Sequence, residues 1–257
     1  MGINHYIYNI NNHKGANIYL RKGTTMDTTL IRLNLGITKV YLIPYSEGYM
    51  LIDTGYKNDY KKFRNLLGKN NIDILDIKYL LLTHHHNDHV GFAQLLKDKH
   101  KVKLVVQKAS IPLLAKGYNS LSEIGAPVNG FVGIIIKAFS VFQRDSTYPP
   151  VILTEEDMVI DGDDNTLLYS LGIKGKIIST LGHTSDSMAV VMDNGNTFCG
   201  DAAMNFMMAA GTKHRPILII NTTQVYKSWE KIKGSGAKTI YPSHGNPFPA
   251  TNLTLPI

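Results

Sequence analysis

The chain has 257 residues, 44% hydrophobic and 18% charged, with a net charge of +7 at neutral pH. That length is ample for one large α/β domain, and the composition is that of an ordinary water-soluble globular protein. One cysteine excludes an intramolecular disulfide, and no apolar stretch reaches the roughly 20 residues of a membrane helix.

The start, Met1-Gly2-Ile3-Asn4-His5-Tyr6, lacks a basic patch followed by an apolar run, so no secretory signal is expected. Tyr6 stands where a myristoylation sequence would carry Ser or Thr. A cytoplasmic location is the default expectation. The lysines are scattered rather than interleaved with aromatics, which leaves nucleic acid as the minority reading of the positive charge.

Residues 1–52 read as strands and turns. Ile7–Ile10, Ile18–Leu20, Thr29–Leu35, Lys39–Ile43 and Met50–Ile52 carry β-branched or alternating apolar positions, punctuated at Asn11-Asn12, Lys22-Gly23 and Gly36. Asp53-Thr54-Gly55 is a turn, in which Asp53 is either a turn former or a carboxylate behind a metal loop. Asn58 to Lys69 predicts an amphipathic helix with Tyr60, Phe63, Leu66 and Leu67 on one side. Lys78–Leu82 is a buried strand that delivers Thr83-His84-His85-His86-Asn87-Asp88-His89.

Four histidines and an aspartate in six residues suit a borderline divalent metal such as zinc. His84, His86 and Asp88 alternate, so an extended strand end would aim them one way, with His89 turning in beside Asp88. A helical His-Glu-x-x-His site is excluded, because no glutamate lies between two histidines four apart. One short loop offering so many ligands points to two metals.

A helix from Val90 to Leu96 and a strand at Val102–Val106 follow, and this β–loop–α–β order points to a layered α/β fold. Residues 107–150 are the least regular part, with a helix at Ile111–Ala115 and an apolar run at Phe131–Phe142. That run is a core element, a lid over an apolar pocket, or a dimer surface. Strands return from Val151. The turn Asp161–Asn165 lacks the downstream glutamate of an EF-hand, so no calcium site is expected there. Lys176–Thr180 leads to Gly182-His183-Thr184. Met188–Met192 and Thr197–Cys199 pair across Asn194-Gly195 and lead to Gly200-Asp201. Thr222–Lys233 is a helix, and Lys238–Tyr241 is a last strand before Ser243-His244-Gly245. Nothing divides the chain internally, so one domain over 1–257 is expected. Successive strands ending in loops that bear His84–His89, His183, Asp201 and His244 describe a site at one sheet edge.

Those motifs, in that order, make the sequence resemble the metallo-β-lactamase superfamily over nearly the whole chain. The resemblance implies a four-layer αββα sandwich, with 107–150 inserted between the second and third metal motifs. It implies that His84, His86 and His183 bind one metal, that Asp88, His89 and His244 bind a second, and that Asp201 bridges them. Asp53 would stand behind the ligands. The two ions are expected to be zinc, with iron or manganese fitting the same set, about 3.5–4 Å apart and sharing a hydroxide that attacks the substrate. Asp88 would also shuttle a proton. His85 is assigned no metal, and Cys199 is read as a small core residue.

Branches of the superfamily differ outside this set. The thioesterases resembling glyoxalase II carry a helical domain after the last histidine, where thirteen residues follow here (257 − 244). The quorum-signal lactonases often carry tyrosine three residues beyond the bridging aspartate, where this chain has Met204. Met204, Phe206 and Met207 make that neighbourhood apolar and suited to an acyl group. The reading is a hydrolase of a small ester, lactone or related acyl substrate. The alternatives are a phosphodiesterase acting on nucleotides or nucleic acid, and a non-catalytic metal-binding protein of the same fold.

Overall fold

The computed structural model describes residues 30–140 and 146–255. The expected strands at Ile7–Ile10 and Ile18–Leu20, and the end of the Phe131–Phe142 run, lie outside them. The first sheet opens with β1 (Ile31–Asn34), β2 (Lys39–Tyr45) and β3 (Gly48–Ile52), then helix α1 (Tyr60–Lys69) and β4 (Ile77–Leu81). Helices α2 (Asn87–Val90) and α3 (Ala93–His100) and strand β5 (Lys103–Gln107) follow. The next stretch holds α4 (Ile111–Lys116), α5 (Leu121–Ile124), β6 (Ala126–Pro127), α6 (Gly130–Ser140) and β7 (Met158–Ile160). After α7 (Leu167–Ser170) the second sheet is built from β8 (Gly175–Ser179), β9 (Met188–Met192) and β10 (Asn196–Gly200). The chain then passes through β11 (Leu218–Ile219), α8 (Thr222–Gly234), β12 (Thr239–Pro242) and β13 (Phe248–Pro249).

The strands form a six-stranded sheet in the order β1-β2-β3-β4-β5-β7 and a five-stranded sheet in the order β13-β12-β10-β9-β8. Strand alternation explains why they stack. In β2, Val40 and Leu42 join an outer cluster with Phe63 and Leu67 of α1 and Leu96 of α3. Tyr41, Ile43 and Tyr45 of the same strand point the other way, into a cluster with Ile177, Met188, Val190 and Phe198 of the second sheet. That sheet's other face, with Ile178, Ala189, Val191 and Ile240, packs on Val225, Trp229 and Ile232 of α8. The result is the αββα sandwich.

Two differences from the sequence-based expectation lie beside the histidine loop. The helix expected at Val90–Leu96 is two helices, α2 and α3, broken at Gly91-Phe92. A Cβ on Gly91 would lie 2.3 Å from the Lys57 nitrogen and 2.4 Å from the Gly55 carbonyl, so this chain crossing admits only glycine. The strand end expected to run through Asp88 stops at Leu81, and Asp88 and His89 sit in α2. The described part of the apolar run lies in α6 and is two-sided, with Val132 buried and Phe131 and Ile134 59% and 68% exposed. No helix among the described residues is long and apolar enough to cross a membrane.

Candidate metal centre

The parallel pairs β3·β4 and β10·β12 bring their carboxyl ends to one edge of the sandwich. Asp53 follows β3, the histidine loop follows β4, His183 follows β8, Asp201 follows β10 and His244 follows β12. Backbone bonds pin these loops together. Thr54 N donates to the His89 carbonyl at 2.7 Å, Met188 N to the Thr83 carbonyl at 2.9 Å, and Asn205 N to the His244 carbonyl at 2.9 Å. Helix α8 braces them from behind, where Trp229 Nε1 donates to the Ala202 carbonyl at 2.8 Å and Ser228 Oγ to the Leu181 carbonyl at 2.7 Å.

Among the described residues the loops bring together a first triad, His84–His86–His183, a second triad, Asp88–His89–His244, and a third group, His84–His89–Asp201, that spans the two. In the first, His183 Nε2 stands 3.3 Å from His84 Nε2 and 3.1 Å from His86 Nδ1. In the second, His244 Nε2 is 3.2 Å from Asp88 Oδ2, and His89 Nε2 is 3.7 Å from Asp88 Oδ1. Asp201 reaches both triads: Oδ1 is 3.5 Å from His89 Nε2, and Oδ2 is 3.3 Å from His244 Nε2 and 3.6 Å from His183 Nε2.

Each histidine's other nitrogen is held by a protein oxygen. His89 Nδ1 meets Asp53 Oδ2 at 2.8 Å, His183 Nδ1 the Leu218 carbonyl at 2.8 Å, and His84 Nδ1 the Thr83 hydroxyl at 3.1 Å. His244 Nδ1 meets the Ile37 carbonyl at 3.3 Å, and His86 Nε2 the Glu123 carbonyl at 3.4 Å. For His84, His86 and His183 those bonds assign the proton to the outer nitrogen, so their inner nitrogens present lone pairs to one another. Lone pairs facing each other at 3.1–3.3 Å repel, and a cation between them reverses the sign. Zinc–nitrogen bonds of about 2.0–2.1 Å arranged as a tetrahedron have edges of about 3.3 Å, which is the observed spacing. The donor set therefore fits a divalent metal.

Electrostatics divides the two triads. Burial, reinforced by mutual repulsion, drives His84 well below the ordinary histidine value and His86 down to about 3, and His183 is lowered too. Burial would also lower His89 and His244, but carboxylates overrule it. Asp88, Asp201 and Asp53 hold His89 well above its usual value, and Asp201 and Asp88 raise His244 to about 10. Burial opposes ionisation of Asp88 and Asp201, yet the imidazoles of His89 and His244 hold both carboxyls below their usual range.

Asp53 is buried and takes bonds from Thr83 N at 2.7 Å, Thr83 Oγ1 at 2.8 Å, His89 Nδ1 at 2.8 Å and Ser243 Oγ at 3.2 Å. Cys199 is buried, its thiol pushed up to about 12 by burial, and the thiol donates to the Ala203 carbonyl. The apolar neighbours need a correction. Met204 is only 1% exposed, buried by the strand-end packing, so it does not line an open pocket. Phe206 and Met207 are half-buried, and the Phe206 ring stands 6.1 Å from that of His244. A cavity of about 630 Å³ opens elsewhere, between Tyr45, Lys78, Lys103 and Leu171, and contains none of the clustered residues.

Three residues escaped the sequence reading. Thr38 Oγ1 donates to Asp88 Oδ2 at 3.1 Å, and Asp186 Oδ1 lies 2.9 Å from His85 Nδ1. Asn119 accepts from Asn87 N at 2.8 Å and donates to the His85 carbonyl at 3.3 Å. They lie 32 to 101 residues from their partners along the chain, with no local signal to link them.

Comparison with known proteins gives the same picture. The profile of the family described as the metallo-beta-lactamase superfamily matches residues 33–244. A metallo-beta-lactamase fold-containing protein of Sulfurisphaera tokodaii is 26% identical over 167 residues, covering 65% of this chain and 57% of that protein. A beta-lactamase-like protein 2 homolog of Drosophila melanogaster is 27% identical over 217 residues, covering 81% of this chain and 59% of that protein. The chain thus spans less than two thirds of either relative. Among solved structures, a metallo-beta-lactamase family protein of Thermus thermophilus matches with a TM-score of 0.60 at 18% identity, covering 87% of this chain and 75% of that one. A B3 metallo-beta-lactamase with an active-site glutamic acid matches with a TM-score of 0.59 at 17% identity, covering 87% and 84%.

Proposed function

The chain belongs to the metallo-β-lactamase superfamily, and from that premise we propose that it is a hydrolase holding two divalent metal ions and acting on a small ester, lactone or related acyl substrate. The observation that carries the reading is the position of Asp201, within 3.6 Å of nitrogens from both triads. His84, His86 and His183 would hold one ion, and Asp88, His89 and His244 the other, with Asp201 placed beside both sets. Imidazole and carboxylate donors suit zinc, and iron or manganese fit the same set. Ions bound there supply Lewis acidity toward a substrate oxygen and lower the pKa of water towards neutrality.

The chain's own residues orient the reaction and move its proton. The Asp88 side chain is 13% exposed and that of Asp201 5%, so Asp88 is the carboxylate of this pair with more access to solvent. The imidazoles beside it hold it ionised, and Thr38 fixes its Oδ2. Asp88 therefore takes the proton released on attack and returns it to the leaving group. Phe206, beside His244, and half-buried Met207 offer an apolar wall to an acyl chain.

The test is a pH-indicator screen of the zinc-loaded protein against lactones, esters and β-lactams, beside an Asp88→Asn control. Acid release that disappears in the control supports acyl hydrolysis. Fully metallated protein that releases no acid but cleaves phosphodiesters, with strong salt dependence, moves the function to a phosphodiesterase, a reading with which the charge of +7 is consistent.

A further inference from the structure

His85 lies between two residues of the first triad, yet its ring faces away from the cluster and is 1% exposed. Its Nδ1 lies 2.9 Å from Oδ1 of Asp186, a carboxylate with no exposed side-chain surface. Asp186 is three residues beyond His183. This one contact therefore joins the loop that carries His84 and His86 to the loop that carries His183. Burial opposes the charge on Asp186, and the His85 ring and the Thr184 hydroxyl bond together offset it, keeping the carboxyl below its ordinary range.

A third element closes on the same ring. The Glu123 carboxylate of α5 stands 4.0 Å from His85 Nε2, while the Glu123 carbonyl meets His86 Nε2 at 3.4 Å. Glu123 is fixed in turn by Lys116 Nζ at 2.5 Å and Ser120 N at 3.2 Å. Asn119 clamps the backbone on both sides of His86, through the His85 carbonyl and the Asn87 nitrogen. A buried carboxylate–imidazole pair is a poor source of stability, since desolvation offsets most of its attraction. A directional bond between two loops has a better use in holding the His183 nitrogen 3.1–3.3 Å from those of His84 and His86, against their repulsion, before a cation arrives.

We propose that His85 and Asp186 are positioning residues for the first triad: their buried bond cross-links its two loops, sets the spacing of His84, His86 and His183, and ties that spacing to the Asn119–Glu123 stretch. This rests on the reading of the cluster as a metal centre. The role differs from that of Asp53, which supports one histidine directly, because His85 and Asp186 touch no inner nitrogen.

The experiment is stepwise titration of the metal-free protein with zinc alone against a chromogenic chelator, and with cobalt(II), whose visible bands report ligand geometry. Asp186→Ala should weaken the first triad by about 10–100-fold, the range for groups that orient metal ligands, and alter its cobalt spectrum. The second triad should keep its wild-type affinity. Asp186→Asn, which retains an oxygen acceptor for His85, should stay within a few-fold of wild type. If Asp186→Ala does not fold, His85→Leu with Asp186→Val removes the bond while filling its space with apolar groups, and the same expectation holds. Wild-type binding with both affinities unchanged in the variant, whatever its melting temperature, overturns the proposal alone. Absence of binding by the wild type overturns the metal-centre reading and the proposal with it.

Discussion

The carboxylate of Asp53 lies 2.8 Å from Nδ1 of His89, behind the second triad and buried from solvent. It also takes the Thr83 nitrogen, the Thr83 hydroxyl and the Ser243 hydroxyl, so it ties its own turn to two of the loops that bear the cluster. Asp53→Ala strands these donors in the interior and should cost about 3–5 kcal/mol of stability. Asp53→Asn keeps the size and tolerates the backbone φ of 59°, so it should unfold closer to wild type. Both variants should lose metal affinity, by about 10–100-fold. Urea unfolding of the metal-free forms and chelator titration separate the two effects.

The opposite shifts of the two triads predict different proton counts. His84, His86 and His183 are lowered and at pH 7.5 each keeps a single ring proton, on the outer nitrogen, so the first triad should take its metal without proton release. His89 and His244 are raised and hold a second ring proton there, and a metal can bind only when it leaves. Affinity at the second triad should therefore rise with pH until His244 is titrated, near its value of about 10. Calorimetry in buffers of different ionisation enthalpy counts the protons. Equal release from both triads would contradict this division.

The donor cluster is legible in the sequence because its signals are local. His84, His86, Asp88 and His89 fall within six residues, and His183, Asp201 and His244 each follow a strand that alternation marks out. The supports were not legible, because they are contacts of long sequence separation. Thr38 meets Asp88 across 50 residues and His85 meets Asp186 across 101. The apolar neighbours of Met204 suggest a pocket wall, but burial depends on which way the turn after β10 folds, and composition does not carry that. The break between α2 and α3 has the same origin. Gly91 looks tolerable inside a helix until the chain at Gly55–Lys57 passes within 2.4 Å of its absent Cβ.

Gly200 tests how tightly the centre is supported. It adopts a φ of +52°, and a Cβ there would lie 2.3 Å from Thr83 Oγ1 and 2.7 Å from Thr83 Cβ. Thr83 passes the support of Asp53 on to His84, accepting at 3.1 Å and donating at 2.8 Å. Gly200→Ala should destabilise by about 1–3 kcal/mol through overpacking and also weaken the first triad. Gly236→Ala, at a φ of +95° with no atom within 4 Å of the Cβ position, carries the backbone strain without the collision. It should lower stability but leave metal affinity intact, which makes it the control in the same titration.

Away from the centre, acid sensitivity should pass through Asp157. Its side chain and that of Lys97 are 1% and 9% exposed and form an ion pair, and Asp157 also accepts from Leu104 N at 2.8 Å and Thr154 N at 2.7 Å. Burial alone would raise its pKa, but the Lys97 bond and these two amides bring it below the ordinary carboxylate value. A carboxyl lowered on folding adds stability that is complete above its unfolded pKa of about 3.9 and is lost as pH falls through the folded one. The unfolding midpoint in urea should therefore drop between pH 6 and pH 3 by more in wild type than in Asp157→Asn. The variant should be the less stable protein at pH 6, because its amide can neither pair with Lys97 nor present two anionic acceptors to the β5 and Thr154 nitrogens. Parallel pH profiles for the two proteins would mean that the pair contributes nothing to folding at neutral pH.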